Sequence, residues 1–579
     1  MEAAIIGSVV FLAVTVTFLF VLFDHAVSGV RLKEARLNYD YDVIIVGGSI
    51  AGPVMAKALA DQNRRVLLLE RSLFTKPNRI VGELLQPGGM DVLRKLGMDE
   101  CAKSVGMPCH GYVVLDERGD EIRLPYAAGL QGFSFHFGDL VNNLRKYVWQ
   151  NCQPAVTMLE ATVTEVLVER VAPCVNRAYG VVYTTAAEYN VPESPFTGAP
   201  PSRTDSTSMS EEVQKTATAP LIIMCDGGSS KFKAMYQHYD PAANYHSHFV
   251  GLIIRNARLP QEGYGTVFFG KKGPILSYRL DPNELRVLVD YNKPALPSLV
   301  EQSRWLSEEI APCLPSNMRE DFIKAAQSTQ NIRSMPIAFY PATFPSIRGY
   351  VGIGDHANQR HPLTGGGMTC AFSDAFLLAE KLLEIKEMRS SDVVEMADIE
   401  DSIQNAIVSY ARGRVVHSSS INILSWALYA VFGTRLLRNA CLEYFARGGE
   451  CVSAPMALLA GVDHSPQRLL WHYTRVMFNG ALNLATLSGP RNCRGKDTPS
   501  FGRRCINAAT FFVSPFRVLE ALYLLIAAAC VAVPVAYSEF VSIWRLINPT
   551  GFLSSIYKTV RVAVCRSLLN GRKRKPIGL

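Results

Sequence analysis

Three short stretches of this chain combine residue types suited to holding a large anionic ligand. The first is Gly47-Gly48-Ser49-Ile50-Ala51-Gly52. In a turn between strand and helix, glycine at the first position permits the tight bend. Glycine at the third lets a diphosphate approach the backbone, and glycine at the sixth lets helix pack on strand. Ser49 occupies the third position; it is small and keeps its backbone N–H. Amides at the helix N-terminus then face the diphosphate. Glu70 follows Gly52 by 18 residues, where an acidic side chain can accept hydrogen bonds from ribose hydroxyls. The plain alternative for Glu70 alone is a solvated carboxylate at a strand end.

The second stretch is Gly352-Ile353-Gly354-Asp355. A carboxylate just past a buried strand can hold the ribityl hydroxyls of a flavin, although a lone Gly-Asp is more often an ordinary turn. The third is His361-Pro362-Leu363-Thr364-Gly365-Gly366-Gly367-Met368, followed by helical spacing to Leu382. Bare amides at Gly366, Gly367 and Met368 would stabilise negative charge at the N1–C2=O edge of a reduced flavin. A merely flexible loop fits less well, because Pro362 stiffens the entry. Arg71, Arg79 and Arg145 are basic residues near these turns, although a lone arginine is more often a solvated surface group. Tyr112 and Tyr278 fall on predicted strands, where core packing is the default. The thirteen cysteines are scattered, without a CxxC pair or a cysteine–histidine cluster, so a metal centre is not expected.

The elements around these stretches follow from apolar periodicity. Tyr41 to Val46, a helix from Pro53 to Ala60, and Arg65 to Leu69 read as strand, helix, strand. Leu221 to Met224 and Tyr350 to Ile353 read as further buried strands, and Asp139 to Trp149 as a helix. Phe249 to Tyr291 alternates in short runs that predict antiparallel strands. From Ala371 onward helices dominate. Residues Asn190 to Pro220 are rich in Pro, Ser, Thr, Ala and Gly and are expected to form a surface excursion.

The chain has 579 residues, 48% hydrophobic and 19% charged, with mean hydropathy +0.10 and net charge +8. Two or three domains are expected at this length. Ala3 to Phe23 is uncharged and long enough to cross a bilayer. Glu2, with no Lys or Arg before the run, argues against a cleaved signal peptide. Arg31, Lys33 and Arg36 follow, which places the remainder in the cytoplasm. The apolar run around Val513 to Tyr537 and Phe540 to Leu569 reads as a helical hairpin at the membrane surface, with a second spanning helix as the alternative. The basic tail at Arg572 to Lys575 reads as head-group attraction or as a solvated end. No basic face with interleaved aromatics suggests nucleic acid.

In their order and with their flanks, these stretches resemble the squalene monooxygenase (squalene epoxidase) family. Its members are flavin monooxygenases of the hydroxybenzoate-hydroxylase-like fold. The resemblance rests on RIVGELLQPGG (Arg79 to Gly89), CDGGSSKF (Cys225 to Phe232), RSMP (Arg333 to Pro336), GDHANQRHPLTGGGM (Gly354 to Met368) and RGGECVSAPMALL (Arg447 to Leu459). It covers roughly Tyr41 to Val462. It implies an α/β fold: a Rossmann-like FAD-binding domain at 39–72, 140–189, 218–240 and 346–378, interleaved with a mixed-sheet substrate domain at 73–139 and 241–345. A transmembrane anchor (1–24), a linker (25–38), a disordered insertion (190–217) and a helical membrane-associated C-terminus (379–579) complete the expectation.

The resemblance also implies roles. Gly47, Ile50, Ala51, Gly52, Glu70 and Arg71 match positions that bind the ADP half of FAD. Arg79, Leu84 and Arg145 match further FAD contacts, and Val163 a backbone contact near the adenine. Asp355, Gly366, Gly367 and Met368 match the ribityl and flavin positions. Tyr112 matches a catalytic tyrosine at the flavin–substrate junction, with Gln86 and Tyr278 lining the same cavity. Three departures stand out: Ser49 in the glycine turn, Phe137-Gly138-Asp139 in place of His-Gly-Arg, and the long excursion. The implied reaction converts squalene and O₂ to (3S)-2,3-oxidosqualene through a flavin C4a-hydroperoxide. Electrons come from NADPH through NADPH–cytochrome P450 reductase, at the endoplasmic reticulum membrane. A membrane isoprenoid reductase and a non-enzymatic lipid-binding protein on the same fold remain the alternatives.

Overall fold

The structure, a computed structural model, describes residues 36–485 apart from 81, 117–118, 173–174, 187–195, 197–211, 236–244, 271–272, 294, 341 and 343–346, together with 519–529. Its first layer is a five-stranded parallel sheet, ordered Tyr350–Gly352, Leu221–Met224, Val43–Val46, Val66–Glu70, Val156–Glu160. These strands read as continuous apolar runs because both faces of the sheet are covered. The three central strands are fully buried along most of their length.

The helix Ala51–Ala60 follows the glycine turn and packs on the helix Gly367–Leu382. That pairing brings together two segments some three hundred residues apart in the chain. The predicted helix at Asp139 spans Phe137–Asn151 and carries Leu140, Leu144 and Val148 into the same core.

The second layer is a seven-stranded sheet, ordered Arg333–Ala338, Tyr245–Arg255, Glu284–Tyr291, Gly273–Asp281, Gly265–Gly270, Gly111–Leu115, Glu121–Pro125. The pairings within Tyr245–Tyr291 are antiparallel, as the alternation predicts. Gly265–Gly270 runs parallel to Gly111–Leu115, so the sheet is mixed. A helix of 41 residues, Val393–Gly433, lies against the glycine-rich segment. It is long and apolar enough to cross a membrane, yet 61% of its apolar window is buried within the protein. It therefore serves here as a core helix.

Within the expected excursion, Glu212–Thr218 is a strand paired antiparallel with Val175–Ala186. Phe196 is buried, edge-on to Trp149 and close to Phe74. A polar stretch can join a sheet edge because backbone pairing, not side-chain burial, holds it there. The segment is thus not a disordered insertion throughout. The N-terminal anchor, the linker up to Ala35, the basic tail and the C-terminal hairpin outside Leu519–Ala529 lie beyond the described residues.

Candidate functional site

A cavity of about 540 Å³ opens where the strands of the parallel sheet end and the seven-stranded sheet begins. Ligands bind parallel α/β sheets beyond the carboxyl ends of the strands, and this volume lies within the range of small-molecule sites. Its walls include Ser49, Ile50 and Ala51 of the glycine turn, Asp355 after the last strand, and Gly365, Gly367 and Met368 before the second helix. Tyr112, Leu276, Tyr278 and Leu288 form the sheet side. The three stretches singled out in the sequence therefore meet at one place.

Two helix N-termini point their free amides at this cavity. Neither Ala51–Ala60 nor Gly367–Leu382 has a side-chain cap. Uncapped first-turn N–H groups favour an anion. Gly47 has φ +103°, and a Cβ there would lie 2.6 Å from the Cys225 carbonyl oxygen. A Cβ on Gly52 would lie 2.0 Å from the Gly47 carbonyl oxygen. Only glycine allows this close crossing of helix and turn. By contrast, a Cβ on Gly367 meets nothing within 4 Å, so that glycine leaves room at the cavity wall.

Ile50, Ala51, Arg79, Leu84, Tyr112, Tyr278, Asp355, Gly367 and Met368 stand on the cavity wall. Gly47, Gly52, Glu70, Arg71, Gln86, Arg145, Val163 and Gly366 do not. Glu70 turns inward: its carboxylate accepts from Gly48 N–H at 2.7 Å and Ser72 N–H at 3.1 Å. Arg71 is exposed. Val163 is buried in the core under a neighbouring sheet. A Cβ on Gly366 would meet Ile421 at 2.5 Å, so this glycine serves close packing. Arg145 is buried and donates to the carbonyls of Gly48, Ser72, Leu73 and Thr75, at 2.6, 2.8, 2.8 and 3.1 Å. It pins the glycine turn to the loop behind it. Phe137 lines the cavity and takes the Arg79 guanidinium over its ring, while Asp139 pairs with Lys76 at 2.5 Å.

Several site residues escaped sequence reasoning. Glu83 sits inside the RIVGELLQPGG stretch and is 1% exposed on the cavity wall. It forms a bidentate pair with Arg286 at 2.8 and 2.9 Å and accepts from the Tyr278 hydroxyl at 3.1 Å. Burial opposes the Arg286 charge, but the Glu83 carboxylate more than offsets this and raises its pKa. Burial first, and then Glu83, push the Tyr278 hydroxyl well above its ordinary range. Gln86 donates to the Tyr112 hydroxyl at 2.7 Å and to Thr364 C=O at 2.8 Å, and accepts from Tyr126. The Tyr112 proton is thereby turned away from Gln86. Burial raises the Tyr112 pKa, so the phenol stays neutral.

Beneath the Gly354 turn, Asp374 is fully buried. It accepts from Gly354 N–H at 3.0 Å and meets Arg414 Nε at 2.9 Å and His417 Nε2 at 2.8 Å. Burial would raise its pKa, but Arg414 and His417 reverse this and hold it below the usual range.

His361 is buried beside Tyr429 and Phe249, with ring centroids 4.2 and 5.6 Å away. Its Nδ1 accepts from Leu363 N–H at 3.2 Å. Burial lowers its pKa to about 3. The folded state then refuses a proton that the unfolded chain accepts at ~6.5. Stability from this group is complete above pH ~6.5 and is lost as pH falls toward 3. We expect it to cost about 2 kcal/mol between pH 7 and pH 5. Urea unfolding at the two pH values should show that loss, and His361→Gln should reduce it.

FAD fits this site on structural grounds: two uncapped helix N-termini, a wall carboxylate at Asp355 and open space at Gly367 share one cavity. The squalene epoxidase profile matches residues 218–490. A squalene epoxidase of Schizosaccharomyces pombe is 34% identical over 87% of this chain and 99% of its own length. One from Saccharomyces cerevisiae is 29% identical over 89% and 100%. The squalene monooxygenase of Rattus norvegicus is 33% identical over 76% and 70%. Among solved structures, PqsL of Pseudomonas aeruginosa superposes with TM-score 0.52 at 18% identity, over 69% of this chain and 98% of its own. A flavin-dependent brominase superposes with TM-score 0.52 at 14% identity, over 76% and 99%. The α/β architecture with its interleaved mixed sheet is thus the fold of flavin-dependent enzymes, and the chain belongs to the squalene epoxidase family.

Proposed function

We propose that this protein is an FAD-dependent monooxygenase that epoxidises squalene with O₂ to (3S)-2,3-oxidosqualene. The observation that carries it is the single cavity joining the glycine turn, Asp355 and the Gly365–Met368 segment to an apolar wall of Leu276, Leu288 and Ile337. FAD, when bound, supplies the two-electron activation of O₂. Asp355 would hold its ribityl hydroxyls, and Gly367 and Met368 would present amides to the ring. The apolar wall would hold the alkene and exclude water, which protects a reactive oxygen species from hydrolysis. The π bond is itself the nucleophile, so the protein need supply none. The electrons would come from NADPH through NADPH–cytochrome P450 reductase.

Supply of a C30 hydrocarbon calls for a lipid bilayer, here that of the endoplasmic reticulum with the catalytic part on the cytoplasmic side. The described C-terminal helices support it. Pro466–Ala485 and Leu519–Ala529 pack together, with Tyr473 donating to Ala528 C=O at 2.8 Å. They leave Leu470, Trp471, Phe478, Leu519, Leu522, Tyr523 and Ile526 exposed. Large apolar side chains exposed on two packed helices are what an interaction surface presents.

Full-length protein in detergent, given FAD, NADPH, the reductase and labelled squalene, should form oxidosqualene in air and none under nitrogen. Bound, reducible FAD without epoxide would overturn the squalene reading in favour of a reductase. Tyr112→Phe is expected to lower kcat roughly 100-fold, as loss of one positioned donor does. It should cost only about 1 kcal/mol of stability, because Gln86 keeps Thr364 and Tyr126. An unchanged kcat would remove Tyr112 from the chemistry.

A further inference from the structure

Arg360 contributes to the wall of the cavity and is 7% exposed. Its guanidinium is held from behind. Nε donates to Asn422 Oδ1 at 2.8 Å, and Nη2 donates to Asn358 Oδ1. Both acceptors are neutral amides, themselves fully buried. The remaining nitrogen, Nη1, is buried and has no partner among the described residues. A buried guanidinium normally meets a carboxylate. The nearby carboxylate Asp374 is already occupied by Arg414 and His417. Asp355, on the same wall, makes no ion pair with Arg360 among the described residues. Arg414 also reaches Asn358 Oδ1, at 3.5 Å. Two buried cations thus meet at one neutral amide oxygen, and Nη1 of Arg360 lacks an acceptor among the described residues. A buried donor left so opposes folding unless a ligand supplies an acceptor.

We propose that Arg360 is a fixed, buried positive charge of the cofactor cavity and favours the reduced flavin over the oxidised one. The inference rests on the FAD reading above. The two-electron reduced ring carries a negative charge that the oxidised ring lacks, and a nearby protein charge tunes that balance. Asn358 and Asn422 fix the guanidinium without neutralising it, so its charge remains available to the cavity.

The test uses full-length protein in detergent, reconstituted with FAD. Affinity for oxidised FAD is read by fluorescence quenching, and the midpoint potential by equilibration with a reference dye. Arg360→Gln should bind oxidised FAD about as wild type does but lose about tenfold in preference for the reduced form. For a two-electron couple that is a fall of ~30 mV. Arg360→Lys should keep most of the wild-type potential. Asn422→Ala, which cuts the same tie but keeps the charge, should leave the potential in place. An unchanged potential in Arg360→Gln, or a fall in Asn422→Ala equal to the one expected for Gln, overturns the proposal. The Asn422→Ala and Arg360→Lys outcomes decide the matter even where Arg360→Gln does not fold. Wild-type protein that binds no FAD at all would instead refute the FAD reading itself.

Discussion

Asp374→Asn is expected to destabilise the folded protein by about 3–5 kcal/mol, the cost of stranding a buried charge. Arg414 is 0% exposed, and Asp374 is the carboxylate paired with it. An amide at position 374 keeps the shape but leaves that guanidinium without a counter-charge. An amide also has one acceptor oxygen where the carboxylate has two, so Gly354 N–H on one oxygen and His417 on the other cannot both keep their acceptor. Against a typical total of about 5–15 kcal/mol, such a loss is large. Urea unfolding should show a lower midpoint with an unchanged slope. FAD retention should fall too, because Asp374 also anchors the Gly354 N–H next to Asp355. Adding Arg414→Met to Asp374→Asn should recover part of the stability, since removing both partners costs less than removing one. A single variant within about 1 kcal/mol of wild type would show that the pair does not hold this turn.

Gly52→Ala should abolish useful FAD binding, with affinity reduced by about 100-fold or more, as expected when bound groups are displaced by an ångström. The added Cβ would lie 2.0 Å from the Gly47 carbonyl oxygen, a backbone atom that no rotamer change can move. The helix Ala51–Ala60 must then retreat, carrying Ile50 and Ala51 away from the cavity wall. Overpacking of this kind also costs about 1–3 kcal/mol of stability. Gly367→Ala is the matched control. Its Cβ meets no protein atom within 4 Å, so the fold should be unaffected while the bound cofactor is crowded. Flavin fluorescence titration and thermal unfolding separate the two. Equal FAD affinity in Gly52→Ala and wild type would show that the glycine turn does not shape the site.

What could be read from the residues alone was local. Strand, turn and helix at Val43–Ala60 follow from an apolar run, close-set glycines and a change of period, all within twenty residues. The same holds for the strand entering Gly354-Asp355 and the helix opening at Gly367. Glycine spacing marks where backbone must approach backbone or ligand, and that demand is visible in the chain itself. The excursion was read less well, because a polar segment such as Glu212–Thr218 gains its order from the backbone of Val175–Ala186, not from its own apolar residues.

Side-chain roles were decided by the tertiary structure. Glu70 has the right type and spacing to meet a ribose, and the turn it follows also gives its carboxylate Gly48 N–H at 2.7 Å. Arg145 lies on a helix face that delivers it to four carbonyls, Gly48 of the glycine turn among them. Glu83 finds its partner Arg286 across 203 residues, and Gln86 meets Thr364 across 278. Asp374 and Arg414 meet because the helix Gly367–Leu382 packs on Val393–Gly433. A buried charge must find a partner wherever packing brings one near. Sequence spacing carries no record of that choice between distant elements. The sequence therefore determined where the backbone turns toward a cofactor, and only the folded chain determined which charges stand beside it.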